Sequence, residues 1–339
     1  MKKDVLLFVD ELFNNNSDVI NRHKNYVDKL FFYSSGKSNL IISKNVSSLC
    51  QKHSFWMRCD CYGVISISDP FLSFFTSYLV KSLKLKKPKL QIQCHGDFGD
   101  YRWRQLNVKN FLFSKLAWWA FKTADQIRCV GKNQAEKMIS TYKIDPVKIV
   151  IAPIPTKDKG DLPGWIKPTI PVVSFLGRLH KERAVDLWMK TAQEIFSVRN
   201  DVHFLIIGDG PERENFQNGM SNIPANQLSF VGKLPNEEAL ELMAKSSVLL
   251  STAPFESFGM AMVEAAKIGL PIVSKPTSGA LDLSEGYDSI SLGNTPKELA
   301  GLSLAALNRE APGVISDSLF LQSENDTVDA IVDAWIKLL

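Results

Sequence analysis

Two glutamates with seven residues between them, Glu256 and Glu264, stand on either side of a Phe258-Gly259 pair. They lie in Pro254-Phe-Glu-Ser-Phe-Gly-Met-Ala-Met-Val-Glu-Ala-Ala-Lys-Ile-Gly-Leu-Pro271, which follows an apolar stretch, Ser247–Leu250. The apolar stretch reads as a buried strand and Phe258-Gly259 as a turn. Met260–Lys267 reads as a helix that Gly269 stops before Pro271 opens the next extended run. Met260, Val263 and Ile268 are the helix positions expected to face a core. A glycine just ahead of a helix leaves backbone N–H groups beside the positive end of the helix dipole, which suits an anion. Ionised carboxylates only accept hydrogen bonds, so they suit sugar hydroxyls rather than phosphate. Together these features describe a holder for something phosphorylated and hydroxyl-rich, for which a nucleotide sugar is the natural ligand. An ordinary strand, loop and helix with two solvated glutamates is the alternative that this stretch alone leaves open.

Other candidates fall where strands are expected to end. Gly177-Arg178 closes a predicted strand at Pro171–Leu176, and Arg183 follows before the next helix. Two guanidiniums there would neutralise a diphosphate bidentately, with Lys181 as a nearby alternative; the bland reading is a charged surface loop. Gly208-Asp209-Gly210-Pro211 closes a strand at Val202–Ile207, and Gly232-Lys233 follows one at Leu228–Val231; simple turn chemistry explains these glycines equally well. His95-Gly96-Asp97 follows a strand at Leu90–Cys94. A histidine there can hydrogen-bond a sugar hydroxyl or a developing charge, although a lone histidine is more often structural.

Glu256 and Glu264, within Glu-Ser-Phe-Gly-Met-Ala-Met-Val-Glu-Ala, resemble the signature of retaining glycosyltransferases of family four, which have the GT-B fold. The resemblance implies that Glu256 faces the donor sugar, that Glu264 binds the ribose hydroxyls, and that the backbone of Phe258, Gly259 and Met260 meets the diphosphate. Gly177-Arg-Leu-His-Lys-Glu-Arg-Ala-Val-Asp186 resembles the family's diphosphate-binding segment, with Arg183-Ala184 where Lys-Gly is usual. Gly208 to Pro211 and Phe230-Val-Gly232 also match, which puts Lys233 in the loop against the base. His95 resembles the acceptor-side histidine close to the transferred sugar, with Asp97 assisting the acceptor. The resemblance implies retained configuration, no metal and no cofactor beyond the sugar donor. The family's Gly-rich loop after its first strand is replaced here by Asp10-Glu-Leu-Phe-Asn-Asn-Asn16.

These residues need two scaffolds to carry them. A chain of 339 residues, 45% hydrophobic and 22% charged, suits two globular domains. Expected strands at Val5–Val9, Leu30–Tyr33, Leu40–Ser43, Tyr62–Ser68, Leu90–Cys94, Gln126–Val130 and Lys148–Ile151 alternate with helices at Asp18–Lys29, Phe71–Leu83, Val108–Lys122 and Asn133–Tyr142. Pro153–Thr169 lacks periodicity and reads as a linker. A second alternation adds helices at Val185–Ser197 and Asn236–Ala244 and strands at Val248–Leu250 and Pro271–Ser274. The expected fold class is α/β, two Rossmann-like doubly wound domains facing a cleft: 1–152 on the acceptor side and 170–325 binding the nucleotide sugar. A final amphipathic helix, 326–339, can pack back on the first.

Charge is uneven. Residues 1–152 carry 24 Lys and Arg against 12 Asp and Glu, a net +12, and the remainder nets −8. The basic half is expected to work beside something anionic: nucleic acid, an anionic membrane surface or an acidic acceptor. Lys81–Lys89 is the densest basic run, with Trp103, Trp118 and Trp119 downstream, and suits a bilayer surface. Nucleic acid leaves the Glu256/Glu264 pattern unexplained and is not an expected partner. No apolar run reaches membrane-spanning length, and Val5–Val9 is too short for a signal-peptide core. The expected location is therefore cytoplasmic, peripheral on the inner membrane face. Five cysteines argue against a disulfide scaffold, and Cys50, His53, Cys59 and Cys61 do not match a standard zinc spacing. The expected activity is transfer of a sugar from a nucleotide-diphosphate donor to a hydroxyl of a glycan or lipid-linked acceptor, in cell-envelope polysaccharide or glycolipid synthesis. A nucleotide-sugar epimerase or hydrolase, and a non-catalytic sugar-nucleotide-binding subunit, are the alternatives.

Overall fold

The computed structural model describes residues 5–9, 30–34, 46–48 and 64–67, and the run 89–338 apart from residue 317. The expected helices Asp18–Lys29 and Phe71–Leu83, the strand Leu40–Ser43, the loop 10–16, the Cys50/His53/Cys59/Cys61 group and all but the last residue of the Lys81–Lys89 run lie outside the described residues. The chain divides into two compact units, Met1–Ile154 with Asn325–Leu339, and Pro155–Glu324.

The first unit contains β1 (Val5–Val9), β2 (Leu30–Ser34), β3 (Val46–Ser48), β4 (Val64–Ile67), β5 (Lys89–Cys94), α1 (Tyr101–Gln105), α2 (Val108–Thr123), β6 (Gln126–Cys129), α3 (Lys132–Tyr142) and β7 (Ile149–Ile151). All its strands run parallel in the order β3-β2-β1-β4-β5-β6-β7. The sheet's apolar face at Ile92, Cys94, Ile127 and Cys129 packs against Ala117, Phe121, Met138 and Tyr142, all buried. Cys94 and Cys129 are free thiols.

The second unit contains β8 (Val172–Leu176), α4 (Val185–Val198), β9 (His203–Ile207), α5 (Arg213–Gly219), β10 (Leu228–Gly232), α6 (Asn236–Ala244), β11 (Val248–Ser251), α7 (Met260–Ile268), β12 (Ile272–Ser274), α8 (Ser278–Ser284), β13 (Ile290–Leu292) and α9 (Pro296–Ala306). Helix α10 (Glu324–Ile336) then returns to the first unit. The second sheet is also all parallel, in the order β10-β9-β8-β11-β12-β13. Runs such as Val-Leu-Leu in β11 are buried from both faces, as a parallel sheet covered by helices on both sides requires. Trp188 anchors this core, edge-on to Phe175, Phe204 and Phe216, and donates its indole N–H to Leu250 O at 3.1 Å.

The expected linker 153–169 is held to the second unit from Pro155 onward. Trp165 donates its indole N–H to Ser246 O at 2.7 Å, and its backbone N–H to Ile268 O. A buried lysine reinforces this. Lys267 donates its ammonium to Thr156 O, Lys157 O and Gln322 O at 3.4, 3.0 and 3.1 Å. Three carbonyls around one ammonium make its burial tolerable, since an unpaired buried charge costs several kcal/mol.

Candidate functional site

In both sheets the strand order reverses at the central pair, β1/β4 and β8/β11, and doubly wound sheets bind ligands at the carboxyl ends of such a pair. In the second unit, three loops that leave strand ends are stapled together. Gly177 N–H donates to Ile207 O at 3.0 Å, Leu179 N–H to Asp209 O at 3.0 Å, and Gly208 N–H to Gly232 O at 2.8 Å. The packing is so close that a Cβ on Gly208 would lie 1.8 Å from Gly177 O, at a φ of +139° that L side chains rarely adopt.

Arg183 and Glu256 cross the β8/β11 switch point and form a direct ion pair through the guanidinium NH1 and Oε2. Arg183 is carried by the loop after β8 and Glu256 by the loop after β11. Both are partly buried, at 35% and 19% side-chain exposure. Thr252, just past β11, fixes the arginine loop by donating its hydroxyl to Arg183 O at 3.0 Å. Arg178 does not join this pair. It is 67% exposed and lies 3.9 Å from Glu182, so of the two arginines only Arg183 is ion-paired with Glu256. Arg183 turned inward finds a carboxylate; Arg178 turned outward finds solvent.

The residue after Arg183 is strained. Ala184 has φ +47° and begins α4, a left-handed conformation that costs an alanine about 1–2 kcal/mol. Ala184→Gly is expected to stabilise the fold by up to about 1 kcal/mol, after the greater chain entropy of glycine is subtracted. Chemical denaturation checks this: an unchanged or lowered midpoint would contradict it.

Gly259 supplies the expected turn, with φ +80°, as the cap ahead of α7. A Cβ there would meet Met262 Cε at 2.3 Å. The loop backbone is pinned by Gly279 N–H donating to Glu256 O at 2.9 Å. Phe258 is buried and stacks on Phe320 at 4.7 Å, so only its backbone is available to a ligand. Val263 and Ile268 face the core as expected, but Met260 is exposed and Met262 takes the buried position. Lys233 is exposed just past β10.

Glu264 is 9% exposed and accepts a long hydrogen bond from Asn236 Nδ2 at 3.4 Å. Burial raises its pKa, opposed by Asn236 and by the charges of Lys157 and Lys267. An acid whose folded pKa lies above its unfolded value binds its proton better when folded. Its ionised form therefore costs stability as pH rises through that raised pKa. Glu264→Gln is expected to raise the melting temperature of the ligand-free protein at neutral pH; a lower one would contradict this.

In the first unit, His95 and the loop after β5 are tethered to one face of α3. Gln134 Nε2 donates to Gly96 O at 2.8 Å, Thr141 Oγ1 to Gly99 O at 2.7 Å, and Tyr142 Oη to Phe98 O at 3.0 Å. Asp97 is buried and paired with Lys137 at 3.0 Å, and Lys137 also reaches Asp100 at 3.2 Å. The acceptor-side expectation for Asp97 is therefore corrected: a carboxylate buried on Lys137 fixes the loop rather than facing a ligand. His95 keeps solvent-accessible surface. Desolvation by surrounding protein, then the Arg128 charge, lower its pKa. The lowered pKa keeps the imidazole neutral near pH 7.

Sequence reading missed the polar residues beneath His95. Gln91, Gln93 and His95 alternate along β5, beside Gln126 and Arg128 on β6. Polar residues at every second position of a strand covered on both faces are a readable anomaly. Lys267 was missed because its partners are backbone carbonyls, which leave no mark in a sequence.

Residues 170–309 match the Glycosyl transferases group 1 family. The chain is similar to the phosphatidylinositol N-acetylglucosaminyltransferase GPI3 subunit of Saccharomyces cerevisiae, 25% identical over 246 residues, 68% of this chain and 52% of that one. It thus spans about half the length of that relative. It is also similar to the 2-deoxystreptamine N-acetyl-D-glucosaminyltransferase of Niallia circulans, 25% identical over 91% of this chain and 74% of that one. Among solved structures, Anabaena Alr3699/HepE in complex with UDP-glucose superposes with a TM-score of 0.68 at 14% identity, covering 99% of this chain and 96% of that one. That likeness establishes the fold, two Rossmann-like domains of the GT-B kind. Through residues 170–309, which lie within the second unit, this chain is similar to the glycosyl transferases group 1 family.

Proposed function

We propose that this protein is a retaining glycosyltransferase that moves a sugar from a nucleotide-diphosphate donor to a hydroxyl of a glycan or lipid-linked acceptor. The observation that carries the proposal is the Arg183–Glu256 pair across the β8/β11 switch point, beside the Gly259 turn and the start of α7. The names of the two relatives and the UDP-glucose held by HepE support a UDP-linked hexose as the first donor to test.

In this reading the Gly259 backbone and the N-terminus of α7 receive the diphosphate, and Glu264 accepts the ribose hydroxyls. Arg183 offsets the charge that builds on the leaving diphosphate, with Arg178 contributing from the same loop, and Glu256 orients the sugar. The acceptor oxygen bonds to the anomeric carbon as the bond from that carbon to the β-phosphate oxygen breaks. The acceptor proton passes to the departing phosphate oxygen. His95 hydrogen-bonds a hydroxyl near the transferred sugar. No metal or cofactor is assigned a step.

The acceptor side is assigned to a membrane surface in cell-envelope glycan or glycolipid synthesis. Among the described residues no helix is long and apolar enough to cross a membrane. Helix α2 instead exposes Val108, Phe111, Leu112, Trp118 and Trp119 on the face that also carries Lys115 and Lys122. Exposed aromatics with lysines on one helix face suit an anionic interface. The protein is expected to sediment with anionic lipid vesicles, less so at high salt. A Phe111→Ser/Trp118→Ser variant is expected to lose that binding while staying folded; equal binding would remove α2 from the reading.

Turnover tests the whole proposal. Incubation with a panel of nucleotide sugars and lipid-linked glycans should release one nucleoside diphosphate and yield a product whose anomeric configuration matches the donor. Donor binding without turnover on any acceptor would favour a non-catalytic binding subunit instead.

A further inference from the structure

The missed polar face of the first sheet forms a single directed chain of hydrogen bonds. Arg128 NH1 donates to Gln93 Oε1 at 2.8 Å. Gln93 Nε2 donates to Ser66 Oγ at 2.7 Å, and Ser66 Oγ to Gln91 Oε1 at 2.7 Å. Gln91 Nε2 donates to Gln126 Oε1 at 2.6 Å, and Gln126 Nε2 to Ala334 O in α10 at 3.1 Å. The parallel register explains the contacts, since Ser66 lies opposite Gln91, Gln91 opposite Gln126, and Gln93 opposite Arg128.

Both ends of this chain have fixed polarity. A guanidinium can only donate and a backbone carbonyl can only accept, so each amide between them has one orientation. Arg128 is itself immobilised, buried with Nε on Ala152 O at 3.0 Å and NH2 on Pro153 O at 2.5 Å. Gln93 therefore turns its oxygen, not its nitrogen, toward His95 Nε2, which lies 3.2 Å away. An oxygen that already accepts from Arg128 can only accept again, so the imidazole must donate from Nε2.

We propose that Arg128 and Gln93 are positioning residues that lock His95 in its Nε2–H tautomer, with Nδ1 as the acceptor nitrogen it offers to a substrate hydroxyl. The offer to substrate rests on the place given to His95 in the function proposed above; the tautomer does not. Arg128 also disfavours a second proton on the ring, keeping Nδ1 an acceptor. The neighbours on the opposite face, Cys94 and Cys129, are buried free thiols, and Asp97 is engaged by Lys137. The anchor at Ala334 ties the docking of α10 to the same arrangement.

Ring nitrogen NMR of the full chain labelled with 15N-histidine, with His95→Gln to identify its signals, tests the assignment. Neutral histidine in water already prefers Nε2–H, so the decisive signature is protection. The His95 Nε2 proton should exchange slowly enough to be seen directly, with Nδ1 unprotonated. Gln93→Leu should lose that protected proton and lower kcat about tenfold with little change in donor KM. Gln93→Glu, which still offers an oxygen to His95, should keep the protected Nε2 proton. An Nδ1–H ring in the native protein, or a protected proton untouched by Gln93→Leu, would overturn the proposal. If the tautomer is as stated but His95→Ala leaves turnover intact, the tautomer assignment stands, and what fails is the acceptor role given to His95.

Discussion

Arg183→Ala is expected to lower kcat by about 100- to 1,000-fold, the usual cost of removing one preorganised donor from a developing negative charge. The side chain is the basic group that the loop after β8 turns inward, and it reaches Glu256 on the far side of the switch point. Its loss removes the charge offset for the leaving diphosphate and leaves Glu256 without its partner. The fold should survive, because a partly exposed ion pair contributes only about 0–1 kcal/mol. Arg183→Lys keeps the charge but not the fork, and about a tenfold loss is expected. Arg178→Ala should cost much less, since that side chain is 67% exposed. Steady-state kinetics with melting temperatures alongside decide the matter. Turnover within about threefold of native in Arg183→Ala would remove this residue from the reaction.

Gly208→Ala is expected to destabilise the second unit by roughly 4 kcal/mol or more, the range reached when a substitution forces backbone apart. The added methyl would lie 1.8 Å from Gly177 O, and neither loop can yield cheaply. Gly177 N–H is held by Ile207 O and Gly208 N–H by Gly232 O, so separating the loops breaks the bonds that gather three strand ends into one site. The positive φ adds strain of its own. Gly160→Ala, with nothing within 4 Å of the added methyl, is the matched control and should be near neutral. Denaturant unfolding of both variants gives the comparison. Equal midpoints would mean that the loops part easily, and the rigid cradle at the strand ends would have to be abandoned.

The parts of the fold legible in sequence were those fixed by local pattern. Runs such as Val-Leu-Leu at Val248–Leu250 can only be covered strands in an alternating chain. The helix starting after Gly259 announces itself through a glycine before it and Gly269 after it. Helix α9 went unread, although Thr295-Pro-Lys-Glu298 spells a capping box that the structure forms. The short α5 and α8 carry too few turns to show a period. What no local pattern could show was which way a side chain turns. Arg178 and Arg183 look alike in a charged loop, and only the fold sends one to solvent and the other to Glu256. Asp97 likewise has the right neighbours for a ligand contact, but Lys137, 40 positions along, claims it. The Gln91/Gln93/Gln126/Arg128 chain depends on register between strands 35 residues apart, although its alternation within β5 was open to view.

The most direct test of the central claim, a nucleotide-sugar site at the β8/β11 switch point, is donor binding measured by calorimetry on the native protein and on Glu264→Gln. Binding to the folded state alone also raises the melting temperature, which gives a second readout. The account predicts saturable binding of one nucleoside diphosphate series. Affinity should weaken about tenfold or more in Glu264→Gln, through loss of charge-assisted hydrogen bonds to the ribose, while the ligand-free variant melts higher. Binding of no series, or equal binding by the variant, would contradict it.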